Sequence, residues 1–459
     1  MSSVLSPAAV HPPLATGEPV PLSDRIAWFK QAKLGIFIHW GIYSVNGIDE
    51  SWSFFNQYLP RDVYMEQLRG FTAKNYDPKA WVDLIQECGA RYVVVTTKHH
   101  DGVALWDTQA NDLSTAKSTP AARDVLTPLV DEIRARGLKF GAYYSLMDWM
   151  HPDFPALNRY QSRGGRTKWN YRPEEYPERW DRCMQLNFAQ YRELADLYHP
   201  DIWWFDGHWW FNEQEWRSEA TAQLIFRNNP HALINDRLPG KGDYKTAEQG
   251  LPLERDPSPW EACMTTNDSW GYQGADRNYK SVHDVICMLM DCLHLGGNLL
   301  LDIGPKPDGS IPQEQVQVLR GLGRWTSKHA MAIYETRAGI DLAYFNGPST
   351  IGTAEYLGSP NEILYLFVPG RPNGALRLKG FRSKILRSWV VGHGAKVGIR
   401  QDIDHLTPGI IYLTVPEEAC DEEVTVLAVM VDGKVELQQL RTTGPATLLA
   451  APGATTGEQ

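Results

Sequence analysis

The sequence lacks the features that mark membrane and exported proteins. Its apolar runs all fall short of the ~18 residues that a membrane-spanning helix needs. Residues 1–24 contain no basic segment followed by a continuous apolar one, which a secretory signal would require. We therefore expect a cytoplasmic protein with no membrane partner, or a secreted one if a signal has been removed.

Cysteine pairs and positive charge are also scarce. The six cysteines form no CxxC pair and no regular framework, which argues against a fold that depends on disulfides. The formal net charge is −10, and it argues against nucleic acid as a partner. No GxGxxG or GxxxxGKS/T motif follows an early strand, which disfavours a nucleotide-binding open sheet.

Aromatic residues are abundant instead. The 459 residues include 17 tryptophans and 20 tyrosines. Such rings can simply fill a core, but each also offers a flat apolar face and a polar edge, a combination that suits the C–H faces of sugar rings. The composition therefore fits a soluble globular protein, with a carbohydrate among its candidate ligands.

Short apolar segments alternate with helical patterns from about residue 22 to about residue 335. Seven segments have the character of buried strands: KLGIFIHWG, ARYVVVTTKHHDG, LKFGAYYSLMDW, DIWWFDG, HALINDR, PWEACMTT and NLLLDIG. Helical segments such as DPKAWVDLIQECGA, with Asp-Pro at its start and Gly near its end, lie between them. This alternation predicts a parallel sheet covered by helices, either a doubly wound open sheet or a (β/α)8 barrel.

The strand ends favour the barrel. Nearly every candidate strand finishes on polar or titratable residues: His39, His99, His100, Tyr143, Tyr144, Asp206, Arg237 and Glu261. Barrel enzymes build their sites from the C-terminal ends of many strands. We therefore predict an α/β protein with a TIM-like (β/α)8 catalytic domain.

The alternation of strand-like and helical segments ends at about residue 340. Five short strand-like segments with turn signals follow, and no helical pattern separates them: EILYLFVPG, ALRLKG, SWVVGHGAKVGIR, IIYLTV and VTVLAVMVDG. This pattern predicts an antiparallel β-sandwich. We divide the chain into a flexible lead-in over residues 1–21, the barrel over 22–337, the sandwich over 338–452 and a tail over 453–459.

The segment DIWWFDGHWW places one carboxylate, Asp206, among aromatic side chains. A buried, unpaired carboxylate is costly, so Asp206 needs a partner, solvent or a function. Strand alternation puts Ile202, Trp204 and Asp206 on one face, while Trp203 and Phe205 point to the other. If the first face lines the barrel, Asp206 emerges at its C-terminal mouth. A structural aspartate that caps a helix or pairs with an arginine is the alternative.

A hydrolase that acts through a carboxylate nucleophile needs a second carboxyl group as acid/base. Glu248, in GDYKTAEQG, lies in a predicted loop flanked by Gly and Pro, where it can swing toward a leaving group. Glu261, in SPWEACMTT, begins an apolar stretch beside Trp260 and can instead anchor a neighbouring Arg or Lys. Both glutamates are candidates.

The motif KHHD at residues 98–101 offers two histidines and an aspartate as metal ligands. Adjacent strand residues point to opposite faces, however, and no second His/Asp pair has ligand-like spacing. We therefore predict no metal and no cofactor. His99 and His100 are expected to hydrogen-bond sugar hydroxyl groups, with a structural role for at least one of them as the alternative.

Seven motifs, in this order, resemble those of the α-L-fucosidases of glycoside hydrolase family 29: GIFIHWGIYSV, TTKHHDGVALWDT, FGAYYSLMDW, IWWFDG, INDR, GDYKTAEQ and GGNLLLDIGPKPDGSIP. They cover roughly residues 25–335 and are highly specific as a set. The resemblance implies a retaining exo-α-L-fucosidase. Its substrates would be terminal α-L-fucosides of oligosaccharides or glycoconjugates, hydrolysed through a covalent fucosyl-enzyme.

The resemblance also assigns roles by position. Asp206 matches the family nucleophile and Glu248 its acid/base, with Glu261 as the reserve because a later glutamate serves in some members. Seven side chains match residues that hold fucose or line its pocket: His39, Trp52, His99, His100, Tyr143, Arg237 and Trp270. A serine separates Glu50 from Trp52, unlike family forms in which the two are adjacent, so no role is assigned to Glu50.

Three other readings of the residues stay open. A related barrel glycosidase with α-galactosidase-like specificity would share the stereochemistry of L-fucose without its methyl group. A non-catalytic glycan-binding protein would use the same scaffold, although two carboxyl candidates speak against it. A metal-dependent hydrolase would use the HHD motif. The residues do not determine the linkage preference, the natural glycan or the oligomeric state. A homo-oligomer stays among the open alternatives.

Overall fold

The structure, a computed structural model, describes residues 18–56, 58–155, 170–252, 255–402 and 409–438. Residues 1–17 of the predicted lead-in and the predicted tail over 453–459 lie outside these ranges. The chain divides into two compact units, Met1–Ala338 and Gly339–Gln459. Within the described ranges, no helix combines the length and the apolar character needed to cross a lipid bilayer.

Eight parallel strands form the centre of the first unit. They are β1 (Leu34–Ile38), β2 (Tyr92–Lys98), β3 (Lys139–Ser145), β4 (Ile202–Asp206), β5 (Leu233–Ile234), β6 (Lys245–Glu248), β7 (Trp260–Thr265) and β8 (Asn298–Ile303). Paired neighbours follow the order β5-β4-β3-β2-β1-β8-β7-β6. A single parallel bridge between Asn235 and Tyr244 joins β5 to β6 and closes the ring. The predicted TIM-like barrel is confirmed.

Twelve α-helices are assigned among the described residues of this unit. They are α1 (Leu22–Arg25), α2 (Ala27–Ala32), α3 (Trp52–Phe55), α4 (Arg61–Met65), α5 (Pro78–Glu87), α6 (Thr115–Ser118), α7 (Thr127–Ala135), α8 (Pro177–Tyr198), α9 (Ser218–Asn228), α10 (Val282–Leu295), α11 (Gln313–Lys328) and α12 (Ala330–Ile333). Their ends follow local capping chemistry. Asp77 accepts a hydrogen bond from the Ala80 N–H at the start of α5, and Ser281 and Asp284 form a capping box on α10. The described segment between β5 and β6 contains no helix.

Strand β4 shows how the barrel positions its catalytic candidate. Ile202 and Trp204 belong to the apolar cluster inside the barrel. Trp203 and Phe205 point outward, where their rings lie 6.1 Å and 5.7 Å from Tyr191 of α8. The predicted alternation along this strand is therefore confirmed, and it delivers Asp206 to the C-terminal mouth.

The opposite end of the barrel is filled by apolar rings. Helix α2 carries Phe29, whose ring centroid lies 4.5 Å from Tyr244 and 5.7 Å from Tyr92, the first residue of β2. These rings close the barrel at the N-terminal ends of its strands. A cavity inside the barrel can therefore open only at the other end, where the strands finish.

The second unit is built from antiparallel strands. After the short strand β9 (Arg337–Ala338), they are β10 (Ser349–Tyr356), β11 (Ser359–Pro369), β12 (Leu376–Lys379), β13 (Ile385–Val390), β14 (Gly398–Asp402), β15 (Ile410–Thr414) and β16 (Val424–Val431). One sheet has the order β13-β16-β11-β10, and a smaller sheet has the order β12-β15-β14. A single apolar cluster includes residues of both sheets, such as Leu364, Leu413 and Leu427. This arrangement confirms the predicted sandwich.

Candidate active site

The carboxyl ends of the barrel strands surround a cavity of about 430 Å³. Its lining consists of Phe37, His39, Glu50, Trp52, His99, Tyr143, Trp204, Asp206, Trp209, Arg237, Glu248, Cys263 and Trp270. Eight of the ten predicted site residues are in this set, including both first-choice catalytic carboxyl groups. His100 and Glu261 are the two predicted residues outside it.

Asp206 lies deep in this cavity and is only 8% exposed. Its Oδ1 accepts a 2.6 Å hydrogen bond from Nη1 of Arg237, and its Oδ2 accepts a 3.0 Å bond from the hydroxyl of Tyr143. Nε2 of His100 lies 3.6 Å from Oδ2, beyond hydrogen-bond length. The partners that the sequence demanded for this carboxylate are therefore present.

These partners control the protonation of Asp206. Burial on its own would raise the pKa of this carboxyl group. The positive charge of Arg237, the nearby His100 and the hydrogen bonds from Arg237 and Tyr143 outweigh burial, so the pKa of Asp206 falls below its ordinary value. The group is thus held ionised, as a nucleophile requires.

Arg237 joins the two catalytic candidates. Its Nη1 binds Asp206, and its Nη2 donates a 2.6 Å hydrogen bond to Oε2 of Glu248. The guanidinium group also lies 4.6 Å from the ring centroid of Trp204, a geometry that favours a cation–π contact. Arg237 therefore bridges the buried carboxylate of Asp206 and the carboxylate of Glu248, whose side chain is 47% exposed.

Glu248 does not lie in the predicted loop. It is the last residue of β6, a four-residue strand that is paired with β7. The next residue, Gln249, has a φ of 50°, so the backbone turns sharply there. The strand end thus carries Glu248 to the rim of the cavity, at the same mouth as Asp206.

Two histidines face the cavity with their rings fixed from behind. Nδ1 of His39 lies 2.6 Å from Oδ1 of Asp302, and Nδ1 of His99 lies 2.8 Å from the hydroxyl of Ser51. The ring of His99 stacks on Tyr143, with centroids 5.4 Å apart and planes at 6°. Burial lowers the pKa of His39 to about 3 and lowers that of His99 well below its ordinary value. Both rings are therefore neutral, and Nε2 of each is left for a ligand.

His100 occupies a different place. It is fully buried, its Nδ1 is hydrogen-bonded to the hydroxyl of Ser145, and its Nε2 faces Asp206. Burial lowers its pKa to about 4. The structure thus places His100 behind Asp206 rather than on the cavity wall.

Glu261 lies below the cavity. Its carboxylate accepts hydrogen bonds of 2.7 Å from the hydroxyl of Tyr92 and from Nε1 of Trp204. It is the second residue of β7, whereas the inward-facing Cys263, two positions later, lines the cavity. Glu261 therefore points into the barrel one layer too deep to reach a ligand. Burial raises its pKa to about 7.

Glu50, which had no assigned role, lines the cavity next to Trp52. It is buried, and its Oε1 accepts a 2.6 Å hydrogen bond from the backbone N–H of Gly271. Burial raises its pKa to about 7. Ser51, which separates Glu50 from Trp52 in the sequence, holds His99, while Glu50 and Trp52 both line the cavity.

Two tryptophans were not predicted as lining residues. Trp204 lies in the floor, two residues before Asp206, and the inward alternation of β4 was the signal for it. Trp209 lies in the loop after β4 and is 45% exposed. No periodic pattern marks this loop, so Trp209 could not be placed from the sequence.

A second, larger depression of about 1290 Å³ lies near residues Asp148, His151 and Arg182. Its buried carboxylate, Asp148, lies 3.5 Å from Nζ of the fully buried Lys98. Among the described lining residues there is no second buried carboxylate to work with it. The smaller cavity is therefore the candidate active site. In the described part of the chain, no group of three or more His, Cys, Asp or Glu side chains has an arrangement for a metal ion.

Comparison with known proteins identifies relatives of this chain. A family model described as Alpha-L-fucosidase matches residues 18–331. The plasma α-L-fucosidase of Homo sapiens is 32% identical over 339 residues, which cover 68% of this chain and 69% of that protein. An α-L-fucosidase of Branchiostoma floridae is 30% identical over 376 residues, which cover 76% of this chain and 79% of that protein.

Solved structures show the same fold. α-L-Fucosidase isoenzyme 1 from Paenibacillus thiaminolyticus superposes with a TM-score of 0.78 at 32% identity and covers 90% of this chain and 99% of its own. The Thermotoga maritima α-fucosidase in complex with fucose has a TM-score of 0.70 at 28% identity, and the match covers 89% of this chain and 98% of that one. A family 29 α-L-fucosidase from Bacteroides thetaiotaomicron, trapped as a covalent intermediate, has a TM-score of 0.74 at 25% identity, covering 93% and 100%. By sequence and by fold, this chain belongs to the α-L-fucosidase family and is a glycoside hydrolase.

Proposed function

We propose that this protein is a retaining exo-α-L-fucosidase that releases terminal L-fucose from oligosaccharides or glycoconjugates. One observation carries the proposal. Arg237 binds the buried, ionised Asp206 with one amino group and the exposed Glu248 with the other, within a single dead-ended cavity. Retaining glycosidases need two carboxyl groups only ~5–5.5 Å apart, and a shared guanidinium suits that short spacing.

In the first step, Asp206 attacks the anomeric carbon of the fucoside and forms a covalent ester. Glu248 donates a proton to the glycosidic oxygen as its bond to carbon breaks, so the leaving group departs as a neutral alcohol. The low pKa of Asp206 keeps the attacking oxygen unprotonated. The exposure of Glu248 puts the proton donor on the side where the leaving group enters solvent.

In the second step, Glu248 removes a proton from a water molecule, which attacks the same carbon. The bond to Asp206 breaks, and L-fucose leaves with its original anomeric configuration. Arg237 and Tyr143 stabilise the carboxylate of Asp206 as it departs, because both donate hydrogen bonds to it.

The cavity also suits the sugar. L-Fucose is a 6-deoxy hexose, so its pocket must bind three ring hydroxyl groups and enclose one methyl group. His39 and His99 present neutral imidazole nitrogens, which hydrogen-bond hydroxyl groups, and Phe37 and Trp270 supply apolar wall. A methyl contact is worth only ~1–3 kcal/mol, so unpaired hydroxyl groups and steric clash must exclude most other sugars.

One related structure supports the covalent route, and a second supports fucose as the ligand. The Bacteroides thetaiotaomicron fucosidase was trapped as a covalent intermediate with 2-fluoro-fucosyl fluoride, and the Thermotoga maritima enzyme was solved with fucose. If Asp206 is the nucleophile here, the same fluorinated sugar should label it. Peptide mapping by mass spectrometry should then find the added mass on the Asp206 peptide.

The reaction course gives a second readout. Proton NMR during hydrolysis of an aryl α-L-fucoside should show the α-anomer of fucose first. An initial β-anomer would exclude double displacement.

Kinetics on variants and substrates test the assignment further. Asp206→Gly should lower kcat for the aryl α-L-fucoside by several orders of magnitude. Faster turnover of the matching aryl α-L-galactoside, which differs from the fucoside only by a hydroxyl group on C6, would instead favour the galactosidase-like alternative.

A further inference from the structure

The cavity has a buried end and an exposed rim. His39, His99, Tyr143 and Asp206 are each less than one tenth exposed, whereas Glu248 and Trp209 are nearly half exposed. The fucosyl group must lie at the buried end, because Asp206 has to reach its anomeric carbon. The leaving group must lie at the rim, because Glu248 has to reach its oxygen.

Trp209 stands at that rim with an open indole face. It follows Asp206 by three residues, in the loop that continues from the nucleophile strand. Its ring plane is within 10° of that of Trp52, with centroids 6.3 Å apart, and both side chains line the cavity. Two indoles, one from α3 and one from the loop after β4, therefore share one orientation at the mouth.

This aromatic wall is supported from behind. Trp52 packs edge-on against Trp149 at 5.0 Å, and Trp209 packs against Trp210 at 5.7 Å. Phe55 stacks on both Trp149 and Trp210, with centroids at 4.2 Å and 5.3 Å. The exposed indole of Trp209 thus sits on a packed set of rings, which limits the entropy that a ligand would have to remove.

We propose that Trp209, aligned with Trp52, forms a binding subsite for the first sugar of the leaving group. A pyranose presents an apolar C–H face to an indole, and its hydroxyl groups stay in water at the open rim. The inference rests on the proposed fucosidase function. It predicts an enzyme adapted to fucose attached to another sugar rather than to any α-L-fucoside.

Two substrates separate the subsite from the chemistry. The glycosidic bond of a fucosylated disaccharide places a sugar ring beside Trp209, whereas α-L-fucosyl fluoride has no ring in its leaving group. We expect Trp209→Ala to lower kcat/KM for the disaccharide by about tenfold, the size of one aromatic stacking contact. The same variant should hydrolyse fucosyl fluoride within about twofold of wild type, and Trp209→Phe should recover most of the disaccharide activity.

Met331→Ala is the matched control, because Met331 is 48% exposed and lies on α12 outside the cavity lining. Equal losses on both substrates would overturn the subsite by showing a structural role for Trp209, and so would no loss on either. An aryl α-L-fucoside is assayed as a third substrate, and a loss confined to it would overturn the subsite in favour of a site for aromatic aglycones. If wild-type protein hydrolyses none of these substrates, it is the proposed function that fails.

Discussion

The hydroxyl group of Tyr143 donates a 3.0 Å hydrogen bond to the carboxylate of Asp206. Burial raises the pKa of Tyr143 well above its ordinary value, so the hydroxyl keeps its proton and stays a donor. The bond is one of the interactions that hold the pKa of Asp206 low. Tyr143 thus helps keep Asp206 charged as the pH falls.

Tyr143→Phe should move the acidic limb of the pH profile. Losing a hydrogen bond that stabilises the carboxylate raises the pKa of Asp206, so kcat/KM should begin to fall at a higher pH than in wild type. The lost bond to a charged group, about 1.5 kcal/mol, should also lower kcat/KM about tenfold at neutral pH. The measurement is kcat/KM against pH with an aryl α-L-fucoside.

Tyr144→Phe is the control for that profile. The hydroxyl of Tyr144 binds Asn187 and Gln190 and has no bond to Asp206. The acidic limb of the kcat/KM profile of Tyr144→Phe should coincide with that of wild type. An unchanged limb in Tyr143→Phe would mean that Arg237 and His100 keep Asp206 charged without the help of Tyr143.

Azide should separate the two glutamates. In Glu248→Ala, the fucosyl-enzyme lacks the base that activates water, so azide should attack it directly and yield α-L-fucosyl azide from an activated aryl fucoside. Glu261→Ala should yield none, because Glu261 lies below the cavity and binds Tyr92 and Trp204. Product analysis by NMR decides between them. Azide product from Glu261→Ala alone would transfer the acid/base role to that residue.

Glu261 should instead influence stability as the pH changes. Its pKa rises from an ordinary 4.5 to about 7 in the folded chain because it is buried. Between these values the folded protein keeps a proton that the unfolded chain has lost, so the free energy of unfolding falls as the pH rises. The full effect is about 3 kcal/mol.

Glu261→Gln should remove that slope, because glutamine has no proton to lose. Urea unfolding at pH 4.5 and pH 7.5 should show a smaller difference in the variant than in wild type. Parallel behaviour of the two proteins would contradict the raised pKa. The variant should also be less stable at pH 4.5, because an amide has one oxygen to accept the two bonds from Tyr92 and Trp204.

The ion pair between Lys98 and Asp148 is expected to matter for folding. Lys98 is fully buried, 3.5 Å from Asp148 and 4.1 Å above the ring of Tyr144. Lys98→Met leaves Asp148 as an uncompensated buried charge, which costs about 3–5 kcal/mol. Thermal or urea unfolding measures the loss. Adding Asp148→Leu should restore part of it, and an additive double variant would show that the pair is not coupled.

The sequence was most informative where apolar residues alternate. Strand β4 could be oriented correctly because its inward and outward side chains are all large and apolar up to Asp206. Strand β6 was missed because its four residues are polar or small and half-exposed, and β10 was missed because its second half faces solvent. A strand with no continuous buried face has no period to detect.

The depth of a side chain in the barrel was beyond sequence reasoning. The sequence contexts of Glu248 and Glu261 both fit an acid/base residue, but the stagger of neighbouring strands decides which of the two reaches the mouth of the barrel. Glu261 pairs with Asn298 at the beginning of β8, whereas Glu248 pairs with Cys263, two residues farther along β7. The contact that holds Glu50 in the cavity was equally beyond prediction, because its partner, Gly271, is 221 positions away in the chain.

The closure between β5 and β6 has a consequence for motion. Every other two neighbouring barrel strands are joined by at least two residue pairs, whereas β5 and β6 are joined only by the single bridge between Asn235 and Tyr244. Arg237 and Glu248 stand on its two sides, and their ion pair is a latch across it. If Glu248 is the acid/base, we expect its turn toward a leaving group to break this ion pair at the seam where the fewest ladder bonds resist separation. Opening of the barrel wall between β5 and β6 would then accompany proton transfer.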